Sequence, residues 1–202
     1  MDDISKKRSI VFIDYSNYHY GLQKLRWKID FLKFKNWLYR NYNIIGLYYY
    51  EGIHSQKSYY NSHLQLLHSY SANVVEKMFR EYKEAKNRYF KKLRSFGYRV
   101  YTKPINSVYD EPKGEYVLKC NFDVELTMDA LFRINDYEQM ILCSGDGDFV
   151  RLVKYLKYME RRVVVIGVAK RISYQLRKHS NQVITINSLR NEVEYKAENA
   201  TS

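Results

Sequence analysis

Cysteine and long apolar runs are scarce in this 202-residue chain, and each scarcity excludes something. The two cysteines, Cys120 and Cys143, form no Cys-x-x-Cys pair. They read as buried thiols rather than metal ligands or a disulfide, and a reducing cytoplasm is expected. No apolar stretch approaches the roughly 20 residues that a membrane span needs, and the start Met1-Asp2-Asp3-Ile4 is not a secretory signal. The histidines offer no zinc pair, because His63 and His68 stand five positions apart rather than four and do not share a helical face. No Ser/His/Asp or Cys/His set is visible, so no covalent protein nucleophile is expected.

What is present is base. Lys and Arg number 34 against 22 Asp and Glu, a formal charge of +12. A basic chain whose acids gather at one point suits a polyanion held around a metal centre. The 46% hydrophobic content supports one packed domain, expected over 8–193 between a basic leader, 1–7, and a frayed tail, 194–202. The 22 tyrosines could stack on bases, yet many fall at core-like positions, and their number alone decides nothing.

Strand and helix patterns alternate as a parallel α/β sheet requires. The continuous apolar run at 8–13 predicts a strand buried on both faces, 139–143 reads as a buried strand, and 163–168 as a further strand. Further strands are expected at 43–50, 98–103 (stopped by Pro104) and 182–186. Asp30 should cap a helix with Phe31, Phe34, Trp37 and Leu38 on one face. A long polar-rich helical region runs from Ser58 to Ser95, with a break possible at 69–73 and Gly97 as its stop. Residues 105–118 read as a loop, and shorter helices are expected at 148–159 and 172–179.

Three separate segments end at an acid after an apolar stretch. Asp14 follows the first strand, with Asn17 about one helical turn further. Asp123 reads as a helix N-cap, with Asp129 nearly two turns on. Asp146 and Asp148 sit two apart on a glycine-loosened turn after the strand 139–143. Acids at the C-terminal edge of a central strand lie where open α/β sheets place their chemistry. Carboxylates this close repel, and a bound divalent cation is the usual compensation.

These segments, Ile13-Asp14-Tyr15-Ser16-Asn17, Lys119 with Asp123-Val124-x-Leu126-x-x-Asp129, and Ser144-Gly145-Asp146-Gly147-Asp148-Phe149, resemble the three motifs of the NYN domain. That family belongs to the PIN-like ribonuclease superfamily and includes LabA-like proteins. The resemblance implies a Rossmann-like, PIN-like three-layer α/β fold with a central, mostly parallel sheet flanked by helices. It implies RNA cleavage with Mg²⁺ or Mn²⁺ held by Asp14, Asp123, Asp146 and Asp148. Asn17 would assist catalysis and Asp129 would support the metal. The leaving group would be the 3′-oxygen, giving a 5′-phosphate product.

Ser144, Arg151, Lys154 and Lys119 are the candidates for contact with RNA, expected to be single-stranded. Arg151 is the foremost, one turn from Asp148. The rival is a non-catalytic RNA- or protein-binding module with the same fold, which the departures Asn121 (for glycine) and Asn181 (for aspartate) keep open.

Overall fold

The computed structural model describes residues 7–23, 25–63 and 71–196. The chain divides into two compact units, one holding the residues up to Tyr50 and from Phe122 onward, the other Glu51–Asn121.

In the first unit, β1 (Arg8–Asp14) has every residue after Arg8 buried, as an apolar run covered on both faces should. It passes directly into α1 (Tyr15–Gln23). Asp30 caps α2 (Phe31–Asn41), its carboxylate accepting from the Leu32 and Lys33 amides at 2.9 and 3.1 Å. Phe31, Phe34, Trp37 and Leu38 form the buried face as expected. The next strand, β2 (Asn43–His54), runs on into the second unit, four residues beyond the apolar segment at 43–50.

The second unit holds α3 (Gln56–Ser62) and α4 (Ala72–Ser95), the two parts of the expected long helical region; residues 64–70, including His68, lie outside the described residues. Tyr59 packs with Val75 and Phe79 of α4, while Val74 is exposed. The helix ends where Gly97 donates to the Arg94 carbonyl and Tyr98 to the Leu93 carbonyl, the double closure that glycine favours.

Two expectations are corrected here. Pro104 does not stop the third strand: β3 spans Arg99–Asp110. Its antiparallel ladder with β4 (Glu115–Lys119) begins at Asn106, so Pro104 owes that ladder no N–H. Residues 105–118 are therefore a hairpin rather than a loop. Its tip is a 3₁₀ turn, Glu111–Lys113, capped by Asp110 and closed by Gly114 at φ 65°, a left-handed conformation.

Back in the first unit come α5 (Asp123–Phe132), β5 (Gln139–Cys143), a 3₁₀ turn (Gly147–Phe149), α6 (Val150–Tyr158), β6 (Arg162–Gly167), α7 (Tyr174–His179), β7 (Gln182–Thr185) and α8 (Arg190–Val193). The strands of this unit pair in the order β2-β1-β5-β6-β7, all parallel. From β1 the chain steps one way to β2, and from β5 it steps the other way to β6 and β7. Right-handed crossovers then put α1 and α2 on one face and α6 and α7 on the other. The reversal falls between β1 and β5, which opens a crevice at their C-terminal ends. No helix among the described residues is long and apolar enough to cross a membrane.

Candidate metal centre

Asp14 is the last residue of β1 and, because α1 starts at once, its carboxylate lies over the first turn of that helix. One oxygen accepts the Asn17 amide at 3.3 Å and the other the Ser144 hydroxyl at 3.1 Å. Burial pushes the Asp14 carboxyl up to about 6, with the negative charges of Asp123 and Asp146 adding to the shift. The two hydrogen bonds pull it back only in part.

Ser144 and Asn17 stitch β1 to the turn after β5. The Ser144 oxygen also accepts the Asp146 amide at 3.2 Å, and Asn17 Oδ1 accepts the Gly145 amide at 2.9 Å. Ser144 is fully buried. Its hydroxyl donates to Asp14. Asn17 serves to position the turn.

Asp146 accepts the Asp148 amide at 3.1 Å, capping the 3₁₀ turn that leads into α6. Asp123 departs slightly from expectation: Phe122 is the N-cap, and Asp123 is the first residue inside α5. There the positive end of the helix dipole favours its charge. Asp123, Asp146 and Asp148 each offer an oxygen, and these oxygens lie within 4.8 Å of one another. Oxygens bound to one Mg²⁺ or Mn²⁺ at about 2.0–2.2 Å stand at most about 4.4 Å apart, so the set fits a single divalent ion after small adjustment. Asp14 is outside this trio and stands behind it, tied to Asp146 through Ser144.

Asp129 is placed elsewhere. Its oxygens accept the Tyr50 hydroxyl at 2.7 Å and Arg133 Nη1 at 3.2 Å. Arg133 in turn donates to the Tyr48 hydroxyl at 2.6 Å and lies 5.0 Å over that ring. Asp129 is neutralised by an ion pair and joins α5 to β2. Arg151 and Lys154 are exposed on α6, and Lys119 is exposed on β4 of the other unit.

Two supporting contacts had no sequence signal. A Cβ on Gly145 would lie 2.4 Å from the Arg171 carbonyl oxygen, and Ser173 donates its amide to the Gly145 carbonyl at 2.9 Å. The acidic turn is thus clamped to the 171–173 segment at a spacing only glycine permits. Buried Tyr18 of α1 donates its hydroxyl to the Ile166 carbonyl at 2.7 Å.

A parallel α/β sheet with carboxylates gathered at its switch point defines a class that includes the PIN-like nucleases. The sequence matches the NYN domain over residues 8–187, and the chain belongs to that family. It is 26% identical over 190 residues to the "Low amplitude and bright protein LabA" of Synechococcus elongatus, covering 93% of this chain and 88% of that protein. The fold is similar to the crystal structure of a Vibrio parahaemolyticus protein of unknown function, with TM-score 0.67 and 21% identity over 96% of this chain and 100% of that one.

Proposed function

We propose that the protein is a metal-dependent ribonuclease that hydrolyses phosphodiester bonds of single-stranded RNA. The observation that supports this most is the convergence of Asp123, Asp146 and Asp148 in a chain of the NYN family. Mg²⁺ or Mn²⁺ bound by these acids would supply the Lewis acidity that polarises the scissile phosphate and its attacking water. The three carboxylates hold that charge in place from two elements, the turn after β5 and the start of α5. Asp14 holds the turn through Ser144, and its own negative charge adds to the field at the site. Arg151 and Lys154 on α6 bind flanking phosphates, so affinity falls steeply with salt. Release of the 3′-oxygen leaves a 5′-phosphate.

The test is incubation of labelled single-stranded RNA with Mn²⁺, with and without EDTA, for the wild type and Asp146→Asn. Cleavage by the wild type with metal alone is expected. The variant should retain its fold and RNA binding while cleavage falls at least about a hundredfold. Turnover that is unchanged in the variant, or that persists in EDTA, would refute the role given to the acids. A shifted but uncut band for the wild type would reduce the protein to a binding module.

A further inference from the structure

The opposite edge of the same sheet, where β6 and β7 begin, carries the reverse charge. Helix α6 ends with Glu160 donating to the Lys157 carbonyl and Arg161 to the Leu156 carbonyl. This closure puts Glu160 at φ 58°, a position glycine usually fills and one that costs another residue about 1 kcal/mol. Around the turn lies a concavity of about 230 Å³ lined by Lys7, Lys157, Glu160, Arg161, Arg162 and Asn181. Four cations face one carboxylate.

Lys157, Arg161 and Arg162 are held in place without being neutralised. Lys157 donates to the His179 carbonyl at 2.9 Å, Arg161 Nε to the Ile134 carbonyl at 2.8 Å, and Arg162 Nη2 to Gln182 Oε1 at 3.2 Å. All three partners are neutral acceptors. Among the described residues no carboxylate lies within ion-pair distance of Lys157, Arg161 or Arg162. Fixed, unneutralised cations around a hollow attract an oxyanion, and the guanidinium fork of Arg161 keeps its terminal nitrogens for one.

We propose that this concavity binds a phosphorylated small molecule of nucleoside-monophosphate size. Lys157 and Arg161 take the phosphate, and the Glu160 carboxylate accepts a sugar hydroxyl. The size argument is direct: the volume is several times that of a bare phosphate, yet it falls below the roughly 300 Å³ at which ordinary ligand pockets begin. The site is separate from the acids at the other end of the strands, and it stands whether or not the protein cleaves RNA.

The experiment is isothermal titration of the full chain in EDTA with adenosine 5′-monophosphate, with inorganic phosphate, and with a single-stranded oligoribonucleotide. Saturable binding of the mononucleotide, tighter than that of phosphate, is expected. Arg161→Gln should weaken it about tenfold through loss of a charge-assisted pair. Lys157→Gln, exposed at the end of α6, should weaken it severalfold and carries the test if Arg161→Gln does not fold. The proposal is overturned by absence of saturation, by phosphate binding as tightly as the mononucleotide, by tight binding confined to the oligomer, or by affinity unchanged in the folded variants.

Discussion

Asp14→Asn should make the cation-free protein more stable at neutral pH and less able to respond to metal. Asp14 is buried, and its carboxyl is raised from 3.8 to about 6. The folded state therefore holds this proton more tightly than the unfolded chain does. Below about pH 4 both states are protonated and the group is neutral in its effect. As pH rises through the window from 3.8 to about 6, the fold must accept a buried charge and stability is lost. The loss reaches about 3 kcal/mol at pH 7. Asparagine fills the same space, keeps an oxygen for the Asn17 amide and never ionises.

The assay is thermal unfolding in EDTA, wild type against variant, from pH 4 to pH 7. The two should nearly coincide at pH 4. At pH 7 the variant should melt about 6–12 °C higher, at about 2–4 °C per kcal/mol for a chain of this length. Added Mn²⁺ should narrow the gap by stabilising the wild type more. Parallel curves across the pH range would refute the reasoning, for they would mean that Asp14 carries no burial penalty.

Gly145→Ala should lower stability by about 1–3 kcal/mol, because its methyl would lie 2.4 Å from the Arg171 carbonyl and the backbone must shift. Urea unfolding measures this, and an unchanged midpoint would show that the 171–173 segment yields freely. Asp129→Asn should cost about 1 kcal/mol and weaken Mn²⁺ binding severalfold without removing a ligand, because the Arg133 pair is lost. Calorimetric Mn²⁺ titration checks it, and a complete loss of binding would instead make Asp129 a ligand.

The frame of the first unit could be read from sequence because β1, β5 and β6 are covered on both faces and so are unbroken apolar runs. Asp30 also announced its helix by its position before Phe31. The hairpin could not be read that way. Its strands are half exposed, Asn106 and Ser107 blur the alternation, and Pro104 and Pro112 look like breakers unless the pairing is known. Among the acids, Asp146 and Asp148 were plain from their spacing. Asp129 was not, since its fate depends on Tyr50 and Arg133, and nothing along the chain marks the tyrosine as a partner. Ser144 looked accessible because it adjoins the acidic turn, yet burial continues through Gly145. The cationic hollow draws on residues 7, 157–162 and 181, which only the sheet brings together.

The bond from Asp129 to Tyr50 gives α5 a pivot. Asp123 lies six residues nearer the helix start, an arm of about 9 Å at 1.5 Å per residue. A tilt of about 5° at the pivot would swing the carboxylate by about 0.8 Å, several times the roughly 0.2 Å latitude of a metal–oxygen bond. Grip on the ion can therefore be loosened from a place that never touches it, by anything that disturbs Arg133 or the two tyrosine hydroxyls against which the helix leans.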